Sequence, residues 1–169
     1  SLPSGLGSFF GSKVAYTKNP AMKDIPMESV VKIYVNKDTD MEVFGSGLLF
    51  AEEGHILTNA HVVNTLAGKP EKLISVCYSI SDNKDTQCGY DAQVVDSSYE
   101  YDLAVIKTDS AIAKKVKPYP LVIQTSYNEL FDNTIALGAE IRAIGYPGVG
   151  GRSITMTKGV IGGFKNEEI

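Results

Sequence analysis

The sequence has no surplus of positive charge. Sixteen Lys and Arg stand against 20 Asp and Glu, a formal net charge of -4 over 169 residues. A nucleic-acid backbone needs a basic stripe to neutralise its phosphates, so no nucleic-acid partner is expected. The small cluster Lys114, Lys115 and Lys117 reads as a solvated loop rather than a binding patch. No apolar run approaches the roughly 20 residues that a membrane-spanning helix needs, and no span is expected. The first residues carry no secretory-signal pattern, although residues 2–10 are mildly apolar. A processed start would look the same, so the N-terminus does not give a location.

Histidine and cysteine are equally scarce, with two of each. His55 and His61 do not form the helical zinc pattern, Glu52 and Glu53 sit in a turn, and the cysteines do not form a CxxC unit. No metal and no cofactor are expected. Cys77 lies in the strand-like run 73–80, and Cys88 opens the next run beyond the turn residues Ser81-Asp82-Asn83-Lys84-Asp85. In a hairpin folded near Asp82 and Asn83 the two would face each other. They are then either a disulfide, which implies an oxidising compartment, or two free thiols on neighbouring strands. Spacing alone does not test the bridge geometry.

What is present is a chain of short β-rich runs. Val30-Val31-Lys32-Ile33-Tyr34-Val35 is a β-branched strand. Gly45-Ser46-Gly47-Leu48-Leu49-Phe50, a Glu-Glu-Gly turn and His55-Ile56-Leu57-Thr58 make a hairpin. Residues 73–80 and 92–95 make another. Leu103-Ala104-Val105-Ile106 is a short apolar strand, 140–144 the next, closed by Gly145 and Pro147, and 153–164 the last. His55 is expected to alternate with its neighbours on its strand and to be partly exposed. Only 59–66 and 111–117 have room for helical turns. With 16 glycines and seven prolines scattered along the chain, this pattern predicts an all-β barrel or sandwich.

The candidate chemistry rests on two residues. His61 follows an apolar strand and a small residue, in Ile56-Leu57-Thr58-Asn59-Ala60-His61-Val62-Val63, a setting that can fix an imidazole rotamer at a barrel edge. A catalytic base needs one ring nitrogen aimed at a nucleophile and the other at a carboxylate. The alternative is a core histidine satisfied by a backbone carbonyl. Asp102, just before the apolar run 103–106, is expected to be partly buried and therefore paired; an imidazolium suits it, and a turn-capping role is the alternative.

In combination these motifs resemble those of HtrA-type (DegP-like) serine endopeptidases. Gly45-Ser46-Gly47 leading into Thr58-Asn59-Ala60-His61-Val62-Val63 is similar to that family's histidine motif. Asp102-Leu103-Ala104-Val105-Ile106 is similar to its aspartate motif, and Tyr90-Asp91-Ala92-Gln93-Val94-Val95 to the strand before it. Ile144-Gly145-Tyr146-Pro147-Gly148 and Lys158-Gly159-Val160-Ile161 look like the first strands of the family's second barrel. The resemblance covers residues 29–164. It implies a chymotrypsin-like double β-barrel, with the first barrel complete and the second partial. The expected layout is an N-terminal arm at 1–28, a first barrel at 29–107, a connection at 108–135 and the start of a second barrel at 136–169. It also implies peptide-bond hydrolysis through an acyl-enzyme, with His61 as general base and Asp102 as its orienter, on protein or peptide substrates.

Two departures accompany the resemblance. The glycine-rich nucleophile motif is absent, so the serine and the oxyanion hole are expected beyond residue 169, and the chain alone is expected to be inactive. Ser46 and Ser153 are read as loop or strand serines without that role. No cysteine flanks His61, and no Ile-Val-Gly-Gly start is present, which separates the chain from the digestive zymogens. The competing reading is a non-catalytic protease-like module that binds peptides or proteins. A stable free-standing fragment ranks last, because two strands would leave unpaired edges. A C-terminal fragment or a second copy of the chain is the expected partner that completes the second barrel. The expected location is extracytoplasmic: periplasmic, cell-envelope or secreted.

Overall fold

A computed structural model of the chain describes residues 26–36, 42–65, 67–71, 73–80, 85–119, 137–147 and 153–163. Residues 1–25 of the expected arm, 120–135 of the expected connection, the turn at 81–84 and Gly150-Gly151-Arg152 lie outside them. The chain divides into two compact units, Met22–Leu121 with Ile144–Thr155, and the remainder.

The larger unit is a closed barrel. A 3-10 turn (Pro26–Ser29) leads into β1 (Val30–Asn36), followed by β2 (Glu42–Leu49), β3 (His55–Thr58), β4 (Ile74–Ser79), β5 (Thr86–Ser98) and β6 (Leu103–Thr108). The order is β1-β2-β3-β6-β5-β4, closed by antiparallel pairing of β4 with β1. All six pairings are antiparallel. Closure leaves this sheet without a free edge, which is how all-β domains avoid edge-to-edge association. The expected all-β barrel is therefore the fold of the first unit.

Period-2 alternation builds its core. Val31, Ile33 and Val35 on β1 are wholly buried, and so are Leu49, Ile56, Val76, Ala104 and Ile106 from the other strands. The hairpin segment read at 92–95 is part of a much longer strand, β5, which bends at a register shift between Val94 and Asp96. A bulge lets so long a strand curl around the barrel and pair with both β4 and β6. The two helical turns are shorter than their expected windows: α1 (Ala60–Val63) and a 3-10 turn (Ser110–Lys114) capped by the Asp109 carboxylate, which accepts from the Ala111 amide at 2.8 Å.

One expectation is corrected. His55 is not partly exposed but wholly buried, with neither ring nitrogen hydrogen-bonded. Strand alternation fails there because His55 and Ile56 are both buried at the start of β3. The Phe50 ring lies 6.2 Å from the imidazole, and Lys107 on β6 pairs opposite His55.

A second, two-stranded sheet is made by β7 (Glu140–Gly145) and β8 (Thr155–Val160). The expected last strand, 153–164, is shorter than its window. Where β7 ends, Tyr146 is buried: its amide donates to Ser46 Oγ at 2.8 Å, and its hydroxyl lies 2.7 Å from Ser79 Oγ. Burial raises the Tyr146 phenol above its ordinary pKa.

Candidate active site

The site is built where two connections meet. β3 runs into Asn59 and then α1, placing His61 in the first turn of that helix. β5 ends in a tight turn in which the Asp102 amide donates to the Tyr99 carbonyl, and Asp102 enters β6. β3 and β6 are paired in register, Thr58 opposite Ala104, so residues just beyond that pair lie side by side although 41 positions apart.

His61 and Asp102 are brought together. Their side chains meet with Nδ1 2.7 Å from Oδ2, and the His61 backbone N–H donates to Oδ1 at 2.9 Å. A carboxylate can only accept, so Nδ1 carries a ring proton, and in the neutral imidazole Nε2 then keeps its lone pair. Neither side chain is deeply buried; 67% of His61 and 44% of Asp102 remain exposed. The His61 amide first, then the His61 ring and Asn59, hold the Asp102 carboxyl below its ordinary pKa, against the opposing effect of burial.

The glycines of Gly45-Ser46-Gly47 make room for this site. A Cβ at Gly45 would come within 2.6 Å of Val62 Cγ1, and one at Gly47 within 2.6 Å of Ile56 Cγ2. Both contacts fall on the segments flanking His61. Ser46, on the opposite face of β2, accepts the Tyr146 amide, and its carbonyl accepts from Thr58 Oγ1 at 2.8 Å. Its hydroxyl is thus committed to structure. Among the described residues no serine hydroxyl is hydrogen-bonded to His61. Among the same residues no group of three or more His, Cys, Asp or Glu is placed to hold a metal ion, and no helix is long and apolar enough to cross a membrane.

Sequence reasoning missed Asn59. Its side-chain amide donates to Asp102 twice, to the backbone carbonyl at 3.0 Å and to Oδ2 at 3.2 Å. The available signal was an asparagine at a helix N-cap, which reads as a cap; here the side chain makes no capping bond. The Cys77–Cys88 alternatives are also resolved, as a disulfide across the β4–β5 pair.

Comparison with known proteins places this geometry in a family. Residues 45–168 match the family model described as trypsin-like peptidase domain. The chain is 30% identical over 123 residues to Protease Do-like 1, chloroplastic, of Arabidopsis thaliana, covering 73% of this chain and 23% of that protein. It is 30% identical over 145 residues to Protease Do-like 5, chloroplastic, of the same plant, covering 85% and 42%. The crystal structure of the serine endoprotease from Yersinia pestis superposes with a TM-score of 0.53 at 29% identity, covering 80% of this chain and 40% of that one. The chain spans less than half the length of each of these proteins. The barrel, the second sheet and these likenesses agree on a chymotrypsin-like fold, and the chain belongs to the trypsin-like peptidase family, in its HtrA/DegP-like branch.

Proposed function

We propose that this chain is the histidine- and aspartate-bearing portion of a serine endopeptidase acting on protein or peptide substrates. The observation that carries the reading is the His61–Asp102 pair, with Nδ1 occupied by the carboxylate at 2.7 Å and Nε2 without a hydrogen-bond partner among the described residues. In this reading His61 Nε2 takes the proton of a serine hydroxyl as its oxygen bonds to the scissile carbonyl carbon, and the carbonyl oxygen becomes an oxyanion. The C–N bond then breaks, and His61 returns the proton to the leaving amine. Water repeats the sequence on the acyl-enzyme and releases the acid. Asp102 stays ionised throughout, holding the ring and stabilising the imidazolium. Its lowered pKa supports that role.

The nucleophilic serine and the oxyanion-hole donors are assigned to sequence following residue 169 in the longer protein. The Cys77–Cys88 disulfide supports an oxidising, extracytoplasmic compartment. The test is a fluorophosphonate probe, which labels only a serine activated by a neighbouring base. In the full-length protein a single labelled serine C-terminal to residue 169 is expected, with labelling lost in His61→Ala. Labelling that persists in His61→Ala sinks the assignment of the base. Absence of labelling in the wild type favours a protease-like binding module.

A further inference from the structure

We propose that Asn59 is a positioning residue of this site, which locks Asp102 in the one backbone and side-chain orientation that keeps the proton of His61 on Nδ1.

Four observations carry it. Asp102 has φ of 50°, the only positive value at a non-glycine residue among those described. The left-handed region costs most L-residues roughly 1–2 kcal/mol; aspartate enters it more readily than most, and a specific contact that holds it there offsets the remaining cost. Asn59 grips that strained residue at both ends, with one amide nitrogen on its carbonyl at 3.0 Å and on its Oδ2 at 3.2 Å. A donor shared between a residue's backbone and its own carboxylate couples the backbone conformation to the side-chain rotamer.

The third observation is an exchange of duties. Asn59 is the N-cap of α1, where an asparagine side chain ordinarily accepts from a first-turn amide. It makes no such bond. The first-turn amide of His61 is instead satisfied by Asp102 Oδ1 at 2.9 Å. Asp102 therefore caps the helix that carries His61, and the residue in the capping position holds Asp102. The fourth is exposure: Asn59 is exposed and contributes nothing to the core, so packing does not explain its place. Its bond to Oδ2 also helps to keep the carboxyl ionised, beside the larger effect of the His61 amide.

The consequence is for proton placement. A free neutral imidazole carries its proton on either nitrogen. Only the form protonated at Nδ1 leaves Nε2 as a base. If Asp102 relaxes from its strained turn, Oδ2 leaves Nδ1 and the wrong form becomes populated.

The inference rests on the proposed catalytic roles, but its primary readout does not need activity. The 15N shifts of the His61 ring in the full-length protein report the fraction protonated at Nδ1. Asn59→Ala is expected to lower that fraction and to cut kcat about tenfold to hundredfold with KM little changed, the size of effect that a misplaced catalytic group produces. Asn59→Asp, isosteric but without the donor, is expected to do worse. Asn59→Ser, which retains one donor, is expected to recover part of both. Near-ultraviolet circular dichroism should be unchanged in all three. Unaltered His61 shifts in Asn59→Ala and Asn59→Asp would overturn the inference, whatever the activity. Loss of activity in His61→Ala alongside wild-type activity in both Asn59 variants would also overturn it, while leaving the protease reading intact. Full activity in His61→Ala would remove the protease reading itself.

Discussion

His55 and His61 lie six positions apart and have opposite surroundings. His61 is exposed and paired; His55 is wholly buried with both nitrogens unsatisfied. Burial lowers the His55 pKa from its ordinary 6.5, and Lys107 opposite it on β6 adds to this while Glu53 opposes. The unfolded chain binds this proton near pH 6.5 and the folded chain only at lower pH. Stability should therefore fall as pH drops from about 6.5 towards the folded value. In His55→Phe the loss of Tm between pH 7 and pH 5 is expected to be smaller than in the wild type; an equal loss contradicts the assignment. Asp102 changes stability in the same direction, in a lower pH window. Its folded pKa lies below the ordinary 3.8, so its contribution is present above that value and is lost as pH falls through the folded one. Asp102→Asn is expected to lower kcat of the full-length protein by about 10⁴-fold, because an amide at Oδ2 favours the wrong imidazole form. At this scale the sequence identified His61 and Asp102 as a pair, because motif order survives without coordinates. It misjudged His55 and passed over Asn59, because pairing with a distant strand and a bond across 43 positions leave no local pattern.

Among the elements, β2 is the most constrained by the site. Its two glycines face Val62 and Ile56, where a methyl group has no room. Gly45→Ala should push on Val62, next to His61, and cost about 1–3 kcal/mol of stability by overpacking, read by denaturant unfolding. A cost below about 0.5 kcal/mol would show that the helix yields freely. Cys77 and Cys88 link β4 to β5 across an 11-position separation. Replacing both by Ala is expected to lower stability by about 2–3 kcal/mol, measured under non-reducing conditions. The strands were legible because alternation of β-branched residues is a local signal. The full extent of β5 was not, since its polar half is held by partners on two other strands rather than by its own composition.

For the molecule as a whole, the closed barrel and the second sheet differ in how far their apolar side chains are buried. Ile141 is 49% exposed, Met156 40% and Val160 62% in a sheet of two strands among the described residues. Two strands are marginal in water. Amide exchange in this chain is expected to be fast across β7 and β8 and slow across β1 to β6. Equal protection would mean that the second sheet is held as firmly as the barrel. The central claim concerns the pair at the barrel's edge. Its most direct test is the rate at which the full-length protein cleaves a denatured protein substrate, compared with His61→Ala at equal folded concentration. Triad members act as a unit, and losses on the order of a millionfold accompany removal of the base. The expected result is cleavage by the wild type and none detectable in the variant; cleavage by His61→Ala at the wild-type rate would contradict the account.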